Sequence, residues 1–146
     1  MPLDFFSKSP IISETPASMQ EVVADLRRSQ SQEECLRKAY AVMIDKYHGN
    51  RIQTGLKLYE VLIRDVEKLW DKNGFLHCTN INYVLRTLLI KSGHFTEDEL
   101  MLRWAFIWYV SPHQYLQVRV DHVWISIDVW GYEYGVPYGE YSHGFH

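Results

Sequence analysis

The feature that most constrains the fold is a pair of alternating segments on either side of the dipeptide at 121–122. Residues 113–120 read HQYLQVRV, with Gln114 and the apolar Leu116, Val118 and Val120 on one face. Residues 123–128 read VWISID and alternate in the same way. A period of two is typical of a β-strand with one buried face, and a two-residue connection between two such segments predicts an antiparallel hairpin. A two-residue turn sets Val120 opposite Val123.

The chain before the hairpin carries helical signals instead. A helix over 16–29 is predicted, because a proline stands at its first turn and apolar residues then recur at helical spacing. Ser31 followed by Glu34 has the S-x-x-E pattern of a capping box, which predicts the start of a second helix. Two more helices are predicted over 54–70 and 79–92.

A buried strand is predicted over 101–110, which is dense in β-branched and aromatic residues. Helices followed by antiparallel strands predict an α+β fold, with the N-terminal helices and helix 79–92 packed on the sheet. The length of 146 residues predicts one domain over 1–146. We expect an extended arm over 1–16, a helical part over 17–77, and a last helix with the sheet over 78–146.

Composition and charge exclude several classes of protein. With 47% hydrophobic residues the chain can offset the entropy cost of ordering, so it is not intrinsically disordered. A net charge of −3 gives no reason to expect a nucleic acid partner. No run approaches the ~20 apolar residues of a membrane span, and residues 1–20 lack the pattern of a secretory signal. Two cysteines are too few for a disulfide scaffold or a structural zinc site. We therefore expect a cytoplasmic protein without metal or cofactor.

Three residues at the ends of predicted elements suggest chemistry. Cys78 stands at the amino end of a predicted helix, where free N–H groups and the helix dipole favour a thiolate and can hold an oxyanion. His113 begins one strand of the hairpin and Asp128 ends the other. The hairpin register sets Tyr115 opposite Asp128 and makes His113 a diagonal neighbour, at about 7–8 Å between backbones. A carboxylate there can orient an imidazole that serves as base for a thiol.

Each of these residues alone has a simpler interpretation. A lone cysteine is more often a small buried apolar residue, and Cys35, in the middle of an amphipathic helix, is expected to be one. His113 can simply begin a strand, and an aspartate such as Asp128 is ordinarily a turn former. The catalytic hypothesis rests on Cys78, His113 and Asp128 occurring together, in this order and on these elements.

This combination resembles the transglutaminase-like superfamily of papain-type cysteine enzymes. The matching text is Cys78 followed by TNINYVLRTLLIKSG, then His113-Gln-Tyr115, then Trp124-Ile-Ser-Ile-Asp128, with 35 positions from Cys to His and 15 from His to Asp. By this resemblance Cys78 is the nucleophile, His113 the general base and acid, and Asp128 the orienting carboxylate. The resemblance implies cysteine-dependent amide or acyl chemistry through an acyl-enzyme, as in a peptidase, amidase or transamidase. A peptide, a protein or a small amide would be the substrate.

The resemblance covers about 65–130 and has departures. His77 stands where the family often has glycine, and Tyr115 where tryptophan is usual. Asn80 and Asn82 replace small residues that are common early in the family's helix. These differences bear on the substrate class more than on the fold.

Several alternatives stay open at the level of sequence. His122 is a second candidate for the general base, with Glu140 as its carboxylate partner. It is disfavoured because His122 would lie in the turn. Asn80 and Gln114 are candidates for the side chain that completes an oxyanion hole. A catalytically inactive member of the same fold would be a peptide- or protein-binding module. A papain-like domain of the cell-wall peptidase type would be favoured if the third polar residue were not Asp128.

Overall fold

The computed structural model describes residues 15–48, 66–71, 73–107 and 111–142. These ranges hold four helices and five strands, with 3-10 turns at Glu97–Glu99 and Trp130–Tyr134. The helices are α1 (Ala17–Arg27), α2 (Gln32–Lys46), α3 (Val66–Asp71) and α4 (Cys78–Lys91). The strands are β1 (Tyr47–His48), β2 (Gly74–Phe75), β3 (Leu100–Ile107), β4 (Ser111–Val120) and β5 (Val123–Ile127).

Strands β3, β4 and β5 form an antiparallel sheet in that order, with helices before it in the chain. The predicted α+β class is therefore confirmed. A second contact was not predicted: the short strands β1 and β2 pair in parallel, with Tyr47 beside Gly74. The sequence at 71–74 indicated only a break, and Gly74 indeed has a positive φ of 91°.

The β4–β5 hairpin has the predicted register. Val120 pairs with Val123, and the pairing continues to Leu116 with Ile127. Both turn residues have positive φ, 50° at Asp121 and 69° at His122. That combination defines a type I′ turn, whose twist matches that of the two strands it joins. The site residues at the other end of the hairpin are therefore held in a fixed register.

The predicted helix starts are confirmed at α1, α2 and α4, within a residue or two. At the start of α2, Ser31 Oγ accepts from the Glu34 N–H (3.1 Å), as a capping box requires. The second hydrogen bond of the capping box is shifted by one residue: the Glu34 carboxylate accepts from the Gln30 N–H (2.9 Å) and not from that of Ser31. The helix predicted over 54–70 lies outside the described residues except for its last turns in α3. The predicted arm over 1–16 is outside them except for its last two residues.

Helix α4 lies at the centre of the core. Every residue from Asn80 to Leu89 is buried, because α1, α2 and α3 cover it on one side and β4 on the other. A helix that is apolar on most of its faces is stable only in such a position. Its one buried cation, Arg86, is paired with Glu97 (3.2 Å). This ion pair links α4 to the 3-10 turn that precedes β3.

The segment after β5 crosses the sheet face that α4 does not cover. Tyr141 stacks on Tyr115 of β4, with ring centroids 4.1 Å apart, and Trp130 contacts His113 at 5.0 Å. A single bridge joins Ser126 to Gly139. Both faces of β4 are therefore buried near its start. None of the helices in the described ranges is both long enough and apolar enough to cross a bilayer.

Candidate active site

Cys78 is the first residue of α4, and its side chain is half-buried. His77 before it has extended backbone angles, and its side chain makes no capping hydrogen bond. The first helical hydrogen bond runs from the Ile81 N–H to the His77 carbonyl (2.9 Å). The N–H groups of Cys78 and Thr79 precede that bond, so the helix gives them no acceptor. The thiol therefore lies beside backbone donors and the positive end of the helix dipole.

A backbone donor from the sheet also reaches the thiol. The Gln114 N–H donates to Cys78 Sγ at 3.5 Å. Val120 and Val123 flank a two-residue turn and form a hydrogen-bonded pair, so the even-numbered N–H groups of β4 face β5. Strand β5 ends at Ile127, which leaves the Gln114 N–H without a strand partner on that side. Cys78 Sγ occupies the place of the missing strand acceptor.

His113 and Asp128 form a buried hydrogen-bonded pair. The distance from His113 Nε2 to Asp128 Oδ2 is 2.7 Å, and each residue is only 2% exposed. This agrees with the diagonal arrangement expected from the hairpin register. Cys78 lies beside the same imidazole, close enough for its side chain to help raise the pKa of His113. The structure thus brings the three residues of the sequence hypothesis together, with His113 hydrogen-bonded to Asp128 and next to Cys78.

Asp128 is held as a carboxylate by three donors. Besides His113, its Oδ1 accepts from the Gly131 N–H (3.0 Å) and its Oδ2 from the Ser142 N–H (2.6 Å). Burial by itself would raise the pKa of this carboxyl. The hydrogen bond and positive charge of His113, with the N–H of Ser142, outweigh burial and lower the pKa below its usual value.

The imidazole of His113 is held as a cation. Burial disfavours the charged form, but hydrogen bonds to Asp128 and Cys78 and their charges outweigh it and raise the pKa to about 10. His113 is therefore an imidazolium at neutral pH. The Trp130 ring, itself buried, covers one side of the imidazole and keeps water from it.

Gly131 is required by a close approach between backbone and side chains. A Cβ at this position would overlap Ser142 Oγ and lie 2.9 Å from Asp128 Oδ2. Only glycine lets the chain return closely enough for its N–H to reach the Asp128 carboxylate. Neither Gly131 nor Ser142 could be recognised from the sequence, because a glycine in a tyrosine-rich tail carries no signal for a carboxylate partner.

The alternative base lies elsewhere. His122 is exposed at the tip of the hairpin, and Glu140 is exposed in the tail. Val120, the last residue of β4 before the turn that holds His122, is seven positions from His113. Seven positions along a strand correspond to about 20 Å. The structure therefore brings His113, and not His122, to Cys78.

Of the two candidates for an oxyanion donor, Asn80 is fully buried within the core. Gln114 uses its side-chain oxygen to accept from Asn82 Nδ2 (3.2 Å). From the sequence, Asn82 was recognisable only as a departure from the transglutaminase-like pattern. Its spacing from Cys78, one helical turn, was the available signal that both share a face of the helix.

Within the described ranges, no three His, Cys, Asp or Glu side chains are grouped so as to hold a metal ion. No protein-family model matches the chain, and neither a curated protein nor a solved structure matches it significantly.

Proposed function

We propose that this protein is a cysteine-dependent enzyme of amide or acyl chemistry, related to the transglutaminase-like, papain-type enzymes. Cys78 is its nucleophile, His113 its general acid and base, and Asp128 its orienting carboxylate. The observation that carries the proposal is the buried hydrogen bond between His113 and Asp128, which lies beside Cys78 at the amino end of a helix. A thiol, an imidazole and a carboxylate in that order are the parts of a nucleophilic machine.

The first step is acylation of the cysteine. The Cys78 thiolate attacks the carbonyl carbon of an amide and forms a carbon–sulfur bond, while negative charge develops on the carbonyl oxygen. The N–H of Cys78, to which α4 itself offers no acceptor, supports that oxyanion. His113 then gives its Nδ1 proton to the leaving nitrogen, the carbon–nitrogen bond breaks, and an amine departs.

Acylation itself makes the proton of His113 easier to transfer. Hydrogen bonding to Cys78 and the charge of Cys78 are among the causes that raise the pKa of His113. When the thiolate becomes part of a tetrahedral intermediate, its charge leaves the sulfur and that support weakens. Asp128 remains in place, so the imidazole keeps its orientation while it loses its proton.

The second step releases the acyl group. Neutral His113 takes a proton from water, the hydroxyl adds to the thioester carbon, and the carbon–sulfur bond breaks. The products are a carboxylic acid, the Cys78 thiolate and the imidazolium of His113. An amine in place of water would give a new amide by the same route. We propose hydrolysis, since water is always present, of a peptide, a protein or a small amide.

The architecture supports the same proposal. The nucleophile starts a central helix, the base begins a strand that packs on that helix, and the carboxylate follows the next strand. These are the positions that the transglutaminase-like resemblance assigns to the three residues. A pure binding module has no physical reason to bury an aspartate and a histidine beside a half-exposed thiol.

The proposal is tested by following alkylation with iodoacetamide from pH 5 to 9, residue by residue, by mass spectrometry. Cys35 is the internal control, and the urea-unfolded protein gives the reactivity of both thiols without a fold. We expect folded Cys78 to react at pH 6 at least ten times faster than unfolded Cys78, because a thiol at a helix amino end beside a cationic histidine is more reactive than a free one.

The proposal is wrong if folded Cys78 is no faster than its unfolded form at pH 6. The same conclusion follows if its rate does not depend on His113. In either case a binding function of the same fold becomes the better hypothesis.

A further inference from the structure

Asn82 joins α4 to β4 immediately behind the site. It follows Cys78 by four positions, so both side chains lie on one face of the helix. Its Nδ2 donates to the Gln114 carbonyl oxygen (3.1 Å) and to Gln114 Oε1 (3.2 Å). Asn82 and Gln114 are each 2% exposed.

These bonds close a ring of contacts around the nucleophile. Gln114 directly follows His113 in β4, and its own N–H donates to Cys78 Sγ. The ring therefore runs from Cys78 along α4 to Asn82, across to Gln114, and back to the sulfur. Every contact in it is a hydrogen bond or a backbone segment, so its dimensions are fixed.

The spacing between thiol and imidazole needs such a ring. Cys78 and His113 are far apart in the chain, so their distance depends on how α4 lies against β4. Apolar packing is non-directional and tolerates small shifts along the helix axis. Hydrogen bonds from one amide to two oxygens do not tolerate such shifts, because they weaken steeply when distance or angle changes. A buried amide that lost both acceptors would also carry the cost of its desolvation.

We propose that Asn82 is a positioning residue of the active site, which sets the distance between Cys78 Sγ and the imidazole of His113 through Gln114. This inference rests on the proposed cysteine chemistry. Asn82 itself touches neither the substrate nor the sulfur. The positioning role also gives a reason for a polar residue at a place where the helix of the transglutaminase-like family usually has a small one.

The test measures the pH profile of Cys78 alkylation in Asn82→Ala and Asn82→Asp. The second variant keeps the shape of the side chain but turns its donor into an acceptor that faces two oxygens. We expect both to lose about ten-fold or more of the Cys78 rate at pH 6, because a displacement of about 1 Å is enough to disrupt such a pair. Their profiles should flatten toward that of the unfolded chain.

Thr87→Ala is the matched control. Thr87 is also fully buried on α4, but its hydroxyl donates to the Tyr83 carbonyl of the same helix and not to the sheet. Its loss removes a buried hydrogen bond of similar worth without freeing β4. We expect Thr87→Ala to lower the thermal midpoint as Asn82→Ala does, and to leave the Cys78 pH profile as in the original chain.

Gln114→Met keeps the test open if the Asn82 variants do not fold. It removes the Oε1 acceptor at nearly constant volume and leaves the backbone carbonyl, so the ring is weakened and not broken. We expect a smaller loss, about two- to three-fold, since one of the two acceptors remains. In the double variant with Asn82→Ala the two effects should not add, because both substitutions break one contact.

Three results would overturn the inference. In the first, the Asn82 variants fold and keep the original pH profile, while His113→Ala loses it. The chemistry then stands without the positioning role. In the second, Thr87→Ala loses as much as Asn82→Ala, so loosening of α4 alone is responsible. In the third, no variant of Asn82 folds and Gln114→Met leaves the profile unchanged. If instead the original chain shows no enhanced Cys78 reactivity, the proposed function itself is wrong.

Discussion

The two cysteines of this chain lie in the same core and have opposite surroundings. Cys35 is fully buried inside α2, with Ser92 Oγ 3.4 Å from its sulfur, and burial raises the pKa of its thiol. Cys78 begins α4, is half-buried, and contacts a backbone N–H and the imidazolium of His113. Position on the helix, more than membership of the core, therefore distinguishes the surroundings of the two thiols.

The charges around the two sulfurs differ as well. Near Cys35, Lys38 and Glu34 act in opposite directions on the thiol. Near Cys78, a buried cation is held in place by a carboxylate that is itself fixed by backbone donors. Only the second arrangement stores positive charge beside the sulfur.

His113→Ala should remove most of the difference between the thiols. In the proposed mechanism, this substitution removes the cation beside Cys78 and the acid and base of the reaction. We expect turnover of any amide substrate to fall by about 10²–10⁴-fold, the usual effect of a general acid–base group. Alkylation of Cys78 at pH 6 should approach that of the unfolded chain. His122→Ala, at the hairpin tip, is the control and should change neither rate.

Asp128→Ala should break the site and part of the fold together. The substitution leaves a buried imidazolium unpaired and removes the acceptor for the Gly131 and Ser142 N–H groups. Breaking a buried ion pair costs about 3–5 kcal/mol, and we expect a loss of that size in urea unfolding. The carboxylate of Glu140, exposed in the same tail, provides the control: Glu140→Ala should stay within about 0.5 kcal/mol of the original chain.

The stabilising effect of the pair should depend on pH with a definite sign. The pKa of His113 is raised from 6.5 to about 10, so its contribution is complete below pH 6.5 and is lost as pH rises through 10. The pKa of Asp128 is lowered from 3.8, so its contribution is present above pH 3.8 and is lost on further acidification.

Urea unfolding of the original chain and of His113→Gln at several pH values tests this. The difference in unfolding free energy should be largest between about pH 4 and 6.5 and should shrink toward pH 10. A difference that stayed constant from pH 6.5 to 10 would contradict a raised pKa for His113.

Of these substitutions, controls aside, Cys35→Ala should have the smallest effect on stability and none on the reactivity of Cys78. The sulfur fills space in the core and contacts Ser92, so we expect a loss of about 1 kcal/mol in stability, typical of single substitutions. The Cys78 alkylation profile should not change. A change in that profile would show that the two thiols communicate through α4, and would make Cys35 unsuitable as an internal control.

The hairpin could be predicted because its signals are local. A period of two and a two-residue turn fix the register, and the register alone placed His113 diagonal to Asp128. The start of α4 at Cys78 followed from a break and an apolar periodicity in adjacent residues. These features need no knowledge of the rest of the fold.

The supports of the site could not be predicted in the same way. The contacts of Asp128 with Gly131 and Ser142 depend on how the tail folds back, which no periodicity records. The bond from Asn82 to Gln114 joins residues 32 positions apart and depends on how helix and sheet pack. The pairing of β1 with β2 involves only two residues on each side, too few for a pattern.

The type I′ turn has a consequence for any longer or shorter version of this hairpin. An insertion of one residue in one strand alone would move His113 to the opposite face from Asp128, since side chains alternate along a strand. Adding one residue to each strand would preserve the pair and only move the tip outward. With a turn of two residues, the interval from histidine to aspartate must therefore stay an odd number, as 15 is here. That parity gives a simple arithmetic filter for recognising chains built on the same hairpin.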